Sequence, residues 1–186
     1  MRIISGIYKG HHLVSFNADH IRPTTDRVKE SLFNKLMFNL EDGTRVLDLF
    51  CGTGNLGLEA LSRGVEFVTF VDDSRKSLDI TKKNIEKLKV PKESYKIVQT
   101  DVLKFLKTFK GEPVQIIFAD PPFTEKMAHE VMLAADISPA FGDQTVLAIE
   151  SAGKERIDVE YSTLERFDAR EYGDKVLSFF RKKVNK

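Results

Sequence analysis

The chain of 186 residues has a single cysteine and no long apolar run. One thiol, Cys51, cannot form an internal disulfide or complete a zinc ribbon, so both kinds of stapled fold are excluded and a reducing compartment is expected. Apolar stretches such as 116–119 are far shorter than the roughly 18 residues of a spanning helix, and the amino-terminal segment lacks an apolar signal core. The four histidines show no metal-ligand spacing. We therefore expect a cytoplasmic protein with no membrane partner and no metal site.

The net charge is also small, because 29 lysines and arginines nearly balance 28 acids. This balance hides a pattern, since residues 1–40 hold six basic and three acidic side chains, the middle of the chain is acidic, and the last part is basic again. No repeat, low-complexity tract or proline-rich linker divides the sequence. We expect one domain over residues 1–186, with an extension (1–40) on a core (41–186), and a monomer.

From Arg45 onward, short apolar runs alternate with segments of helical periodicity, which is typical of a mostly parallel sheet with helices on both faces. The predicted strands are 45–50, 66–72, 95–99, 114–119 and 145–150, and the predicted helices are 56–63, 74–88, 102–109 and 125–135. Two further β-like runs joined at Gly173-Asp174 indicate a hairpin that ends in an antiparallel strand. These patterns predict a seven-stranded, Rossmann-like α/β fold. In the extension, 2–16 predicts a small hairpin turned at Lys9-Gly10, and 24–40 predicts a helix.

The segment LDLFCGTGNLGLEAL (47–61) spaces Gly52, Gly54 and Gly57 as G-x-G-x-x-G between a strand and a helix. Glycines at these positions allow a tight turn and let the backbone approach a ligand closely. The spacing alone fits equally well a β-α turn that only packs the helix against the sheet.

Acidic side chains next to this loop favour a ligand. Asp72 ends the next strand, where a carboxylate can accept both hydroxyls of a ribose. Asp48 lies within an apolar strand, which is unfavourable unless a polar or cationic group is there. A sulfonium or ammonium group suits such a carboxylate and a pyrophosphate does not, so S-adenosylmethionine fits better than NAD. Asp101 and the amide of Val102 could read an adenine edge, and Asp101 could also cap the helix that follows.

The motif Asp120-Pro121-Pro122-Phe123 follows the apolar strand VQIIFA and so stands at the carboxyl end of the sheet, where open α/β folds bind their ligands. The Asp120 carboxylate and the Pro121 carbonyl could hold the two hydrogens of an exocyclic amine and aim its lone pair at a methyl group. Pro122 would stiffen the turn, and Phe123 offers a face for an extruded base. The motif therefore indicates methyl transfer to an amine, although a strand that merely stops at a proline pair would read similarly.

Taken together, these motifs resemble the bacterial RsmD family, methyltransferases that modify N2 of guanine 966 in 16S ribosomal RNA. The resemblance is carried by RIISGIYKGHHL, RPTTDRVKESLFN (22–34), LDLFCGTGNLGLEALSRG (47–64), DPPF (120–123) and EYGDKVLSFFRK. It implies a class I S-adenosylmethionine-dependent methyltransferase that acts on 16S ribosomal RNA or a small-subunit assembly particle. The implied cofactor contacts are Asp48, Gly52, Gly54, Asp72 and Asp101, to which we add Phe50, Asn55 and Val102. The implied target-amine site is Asp120 to Phe123.

The RPTTDRVKE segment places cationic side chains beside threonine hydroxyls. Arg22, Arg27 and Lys29, with Thr24, suit phosphate oxygens or the carboxylate of the cofactor, and a solvated helix start would look the same. We expect Arg22, Thr24 and Arg27 to bind the substrate. Three rival functions remain at this point: adenine-N6 methylation of DNA or RNA, a non-catalytic RNA- or cofactor-binding module, and an NAD-dependent oxidoreductase.

Overall fold

One seven-stranded sheet forms the centre of the computed structural model, which describes residues 1–16, 26–124, 126–157 and 159–184. The strands are β1 (Arg45–Leu49), β2 (Phe67–Asp72), β3 (Tyr95–Gln99), β4 (Val114–Ala119), β5 (Phe141–Ala152), β6 (Leu164–Tyr172) and β7 (Lys175–Lys182). The α-helices are α1 (Asp26–Lys35), α2 (Asn55–Ser62), α3 (Arg75–Leu88), α4 (Val102–Lys107) and α5 (Met127–Asp136). No helix within these ranges is both long enough and apolar enough to cross a bilayer.

The strand order is β3-β2-β1-β4-β5-β7-β6, and β7 runs antiparallel to both of its neighbours. The predicted seven-stranded, mostly parallel sheet with an antiparallel last strand is confirmed. Side chains that alternate along the strands fill two separate cores. Helices α1, α2 and α3 and the amino-terminal segment cover one face of the sheet, and α4 and α5 cover the other.

Several predicted boundaries were wrong. The helix expected over 24–40 ends at Lys35 and is followed by a 3₁₀ turn at Met37–Asn39. The amino-terminal hairpin has a single antiparallel bridge, Arg2 to His12, because the chain between them is occupied by two consecutive turns. Strand β5 is longer than expected, since its start pairs with β4 and its end pairs with β7. The predicted substrate contacts Arg22 and Thr24 lie outside the described residues.

The fully buried carboxylate of Glu59 on α2 fastens the amino-terminal segment to the sheet core. Its two oxygens accept hydrogen bonds from the backbone amides of Ile4 (2.9 Å) and Ser5 (3.0 Å). They also form ion pairs with Lys29 of α1 (3.0 Å) and Arg63 (2.9 Å). Segment 1–16, α1 and α2 therefore meet at one carboxylate.

The structure places Lys29 differently from the sequence interpretation of RPTTDRVKE. Its side chain is 1% exposed, and its ammonium donates to the Arg2 carbonyl oxygen (2.5 Å) and to Asn55 Oδ1 (2.9 Å) as well as contacting Glu59. Burial lowers the pKa of Lys29, and the Glu59 carboxylate opposes that shift. The interpretation that Lys29 suits phosphate oxygens or the cofactor carboxylate was therefore wrong, because its ammonium is buried and bonded to groups within the fold.

Replacing Glu59 with alanine tests this anchor. The Glu59→Ala variant leaves the buried Lys29 ammonium without its counter-charge and two backbone amides without their acceptor, so we expect the free energy of unfolding to fall by about 3–5 kcal/mol. Urea denaturation measures this change. The matched control is Glu86→Ala on the exposed side of α3, expected to stay within about 0.5 kcal/mol of the wild type. Equal stability of the two variants would contradict the assigned role.

Candidate active site

The loop between β1 and α2 is a tight turn that the sequence makes possible by placing glycines in left-handed conformations. Gly52 has φ 56° and Gly54, the residue before α2, has φ 76°. Phe50 also has a positive φ, of 55°, which is rare for a bulky residue and marks a strained point at the end of β1. The Cys51 amide donates to the Val71 carbonyl oxygen (3.1 Å), so the loop begins in register with β2.

The third glycine of the motif, Gly57, has a packing role. A Cβ atom at this position would lie 2.4 Å from the ring of Phe70 and 2.8 Å from Asp48 Oδ2. Without that atom, α2 approaches the sheet closely enough for the Gly57 amide to donate to Asp48 Oδ2 at 2.8 Å. The motif therefore serves packing at Gly57 and backbone conformation at Gly52 and Gly54.

Asp48 is a buried acid, only 2% exposed. Its pKa is raised to about 8, mainly by loss of water and also by the neighbouring carboxylates of Asp120 and Asp72, against the lowering effect of the Gly57 amide. Asp72 accepts hydrogen bonds from the amides of Gly52 and Ser74, both at 2.9 Å, and burial raises its pKa as well. A site with this charge distribution favours a cationic ligand.

The parallel register brings the acids of three strands together on one face. Asp48 of β1 is aligned with Phe70 of β2 and with Phe118 of β4. Asp72 and Asp120 each lie two residues beyond these partners, and side chains two apart on a strand point to the same face. Asp120 and Asp72 therefore flank the end of β1, on the face that α2 covers.

The motif at residues 120–123 begins at a mostly buried carboxylate. The pKa of Asp120 is raised to about 7, mainly by burial and also by the nearby Glu150 carboxylate, while Lys175 opposes the shift. Pro121 is buried, Pro122 is exposed, and Phe123 leaves 47% of its surface accessible to solvent. The structure thus combines a desolvated acceptor with an accessible aromatic ring.

Sequence reasoning missed two residues of this region, Glu150 and Lys175. Glu150 lies two residues beyond Ala148, the register partner of Phe118, so it extends the row of acids to β5. Its Oε2 atom is 3.1 Å from the Lys175 ammonium on β7. The sequence does indicate Glu150, because it ends the apolar run 145–150 just as Asp72 ends 66–72. It does not indicate Lys175, because the position of Lys175 depends on the pairing of β5 with β7.

Among the other predicted site residues, Asp101 and Asn55 have hydrogen-bond partners within the fold. Asp101 accepts from the Lys104 amide (2.8 Å) and caps α4, with the buried Val102 following it. The side-chain oxygen of Asn55 accepts a hydrogen bond from the Lys29 ammonium (2.9 Å). Arg27 is exposed on the first turn of α1. Cys51 is buried, and burial together with the nearby acids raises the pKa of its thiol.

Over residues 1–16, 26–124, 126–157 and 159–184, no group of three or more histidine, cysteine or acidic side chains has an arrangement that could hold a metal ion. A cavity of about 550 Å³ lies near the amino ends of the strands, beside Phe67, Phe105 and Phe109. Because this cavity lies at the other edge of the sheet, none of its lining residues belongs to the row of acids formed by Asp48, Asp72, Asp120 and Glu150.

The strand order, the antiparallel β7 and the glycine loop after β1 define the class I fold of S-adenosylmethionine-dependent methyltransferases. Comparison with known proteins identifies the family within that class. The family described as Conserved hypothetical protein 95 matches residues 1–181. Ribosomal RNA small subunit methyltransferase D of Haemophilus influenzae is 39% identical over 133 residues, which make up 71% of this chain and 68% of that protein.

Solved structures agree with this fold. The Escherichia coli protein yhhF has a TM-score of 0.86 at 30% identity and covers 100% of this chain and 99% of its own. The structure of SMU.776 complexed with SAH has a TM-score of 0.71 at 16% identity, covers 89% of this chain and 52% of its own, and shares the fold. The chain belongs to the ribosomal RNA small subunit methyltransferase D family, which confirms the resemblance seen in the sequence motifs.

The raised pKa of Asp48 predicts a pH dependence of stability. The folded-state pKa of about 8 lies above the ordinary value of 3.8, so the native state binds more protons between these values, and stability falls as the pH rises from about 4 to 8. Asp48→Asn keeps an acceptor for Gly57 and carries no charge. We expect its free energy of unfolding at pH 8 to exceed that of the wild type by about 2–4 kcal/mol. We also expect its free energy of unfolding to change less with pH.

Chemical denaturation of the cofactor-free protein at several pH values measures this profile. The control is Asp143→Asn, at an exposed aspartate near the start of β5, and it is expected to follow the wild-type profile. An Asp48→Asn variant with the wild-type slope would show that the acid is not desolvated as described.

Proposed function

We propose that this chain transfers a methyl group from S-adenosylmethionine to the exocyclic N2 amine of a guanine in 16S ribosomal RNA, the guanine numbered 966. One observation carries the proposal: Asp120, followed by Pro121, lies at the carboxyl end of β4 on the same face as Asp48 and Asp72, and the accessible ring of Phe123 follows. Membership of a family that includes ribosomal RNA small subunit methyltransferase D supports the substrate class.

The donor set at the ends of β1 and β2 fits the proposed cofactor. Asp48 and Asp72 are buried acids, and desolvation raises the pKa of both. A ligand that carries a sulfonium and an ammonium group supplies a compensating positive charge. The remaining oxygen lone pairs of Asp72 suit ribose hydroxyls, and the glycine loop around Gly52 lets the backbone approach the ligand.

The nucleoside end and the loop give further proposed contacts. Asp101 and the Val102 amide stand at the start of α4, after β3, and suit an adenine edge. Phe50, Gly54 and the backbone of Asn55 line the turn from β1 into α2. When bound, the cofactor supplies an electrophilic methyl group, and the residues of the chain bind and orient the groups around it.

Asp120 and Pro121 have the chemistry needed to position a nucleobase amine. An exocyclic amine is a weak nucleophile because its lone pair is delocalised into the ring. The Asp120 carboxylate and the Pro121 carbonyl oxygen can accept its two hydrogens, which directs the lone pair outward. A pKa of about 7 then allows Asp120 to accept the proton that the methylated amine loses and to release it to water.

Phe123 and the extension supply the remaining substrate contacts. The accessible Phe123 ring suits stacking of an extruded base. Arg27, exposed on α1, suits phosphate, and we propose Arg22 and Thr24 for the same role. With only six basic side chains against three acids in residues 1–40, we expect modest, salt-sensitive affinity for RNA and further contacts within a small-subunit particle.

An Asp120→Ala variant tests the central residue. We expect methyl transfer to ribosomal RNA to fall by about 10²–10³-fold, because one preorganised acceptor of the amine is lost, while cofactor affinity stays within a few-fold. Labelled S-adenosylmethionine, followed by nucleoside mass spectrometry of 16S RNA, measures both the rate and the product. The matched control is Asp143→Ala on the exposed start of β5.

The product decides between the proposed function and its rivals. N2-methylguanine at one position of 16S RNA is the expected result. N6-methyladenine with no N2-methylguanine would favour an adenine-N6 enzyme, because the Asp120-Pro121 acceptor pair serves either amine. Wild-type protein that binds RNA and the cofactor without transferring a methyl group would favour a binding module.

A further inference from the structure

Lys175 begins β7 directly beside the proposed amine site. Its ammonium lies 3.1 Å from Glu150 Oε2, and the side chains of the two residues are 20% and 4% exposed. Ala152 is the register partner of Lys175, so Glu150 lies diagonally across from it on the same face of the sheet. The buried carboxylate therefore holds the ammonium at the rim of the site.

The ammonium of Lys175 also lies over the ring of Phe123, 4.6 Å from the ring centroid. This is close to the position that a base stacked on the same ring face would take. A lysine ammonium has three donor hydrogens, and only one is directed at Glu150 Oε2. A base that stacks on this face displaces the ammonium from the ring toward the edge of the base, where its other hydrogens need an acceptor.

The edges of guanine and adenine differ in what they offer at that point. Guanine presents the N2 amine, the N1 hydrogen and the O6 acceptor in that order, so two donors precede one acceptor. Adenine presents its amine next to the bare N1 acceptor. When Asp120 holds the amine, the row of acids faces the N1 hydrogen of guanine, which is a second donor. In adenine the same acids face the lone pair of N1. Lys175, at the far end of the row, then meets an acceptor in guanine.

We propose that Lys175, positioned by Glu150, selects guanine by donating a hydrogen bond to O6 of the target base. This inference rests on the proposed function, since it requires the target amine to be held at Asp120. Selection follows from an exchange at Lys175: the ammonium gives up its contact with Phe123 when the base stacks, and guanine replaces that contact with a charge-assisted hydrogen bond. A base without an acceptor at this position leaves a partly buried ammonium unpaired except for Glu150.

The test uses 16S RNA assembled by ligation so that the one methylated position carries either guanine or 6-thioguanine, and it is assayed as RNA and in small subunits. Sulfur is a weak acceptor in place of O6, while N1 and N2 are unchanged. For the wild type, we expect kcat/KM to be about 10- to 100-fold lower on 6-thioguanine, the loss of one charge-assisted hydrogen bond. For Lys175→Met, we expect a similar loss on guanine and nearly equal rates on the two substrates.

Control variants separate selection from folding. Lys182→Met removes a lysine of β7 that also lies over an aromatic ring, Phe141 at 5.7 Å, but it is seven residues along the strand, roughly 23 Å away. It should keep the wild-type preference for guanine. If Lys175→Met lowers the melting temperature by removing the ammonium that neutralises Glu150, the double variant Lys175→Met/Glu150→Gln removes both charges and should show the same loss of preference.

The outcomes distinguish this inference from the proposed function. Wild-type protein that methylates guanine and 6-thioguanine equally would overturn the role of Lys175 and leave the proposed function intact. The same holds for a Lys175→Met variant that keeps the full preference for guanine. Wild-type protein that transfers no methyl group to guanine N2 would overturn the proposed function itself.

Discussion

The hydrogen bond from the Gly57 amide to the buried Asp48 carboxylate is the contact on which the rest of the site depends. It joins α2 to β1 at 2.8 Å, and it forms only because Gly57 has no Cβ atom. It also places the amino end of α2 and its glycine turn at the carboxyl edge of the sheet. The result is a carboxyl group in a site with little water, which explains why the pKa of Asp48 is raised and fits the proposed cationic ligand.

The parallel register places further acidic side chains beside this buried one. Because β2 and β4 are aligned with β1, Asp72 and Asp120 flank the same edge, where one suits the cofactor and the other the target amine. The amino-terminal segment and α1 are joined to the same helix through Glu59 and Lys29. Arg27, the proposed RNA contact on α1, is thus fixed relative to the glycine loop by a buried ion pair, and not by a flexible linker.

Most of the fold could be predicted from the sequence, because apolar strands and helical spacing alternate without ambiguity between 45 and 136. The acids that end strands were equally visible, and Glu150 could have been found by the rule that found Asp120. Lys175 could not, since its position depends on pairing between β5 and β7. The charge of Lys29 suggested a contact with phosphate. Its spacing from Leu32 and Phe33 places it on the same helix face, and that spacing indicates burial.

We propose that the charge of the cofactor neutralises the buried acids at the strand ends, and proton release on cofactor binding tests this most directly. Titration calorimetry at pH 7 in two buffers of different ionisation enthalpy gives the number of protons released on binding S-adenosylmethionine. A cation next to Asp48 lowers its pKa from about 8, so we predict release of about one proton by the wild type and much less by Asp48→Asn. The neutral analogue methylthioadenosine should release none. Equal proton release by the wild type and Asp48→Asn would contradict the account.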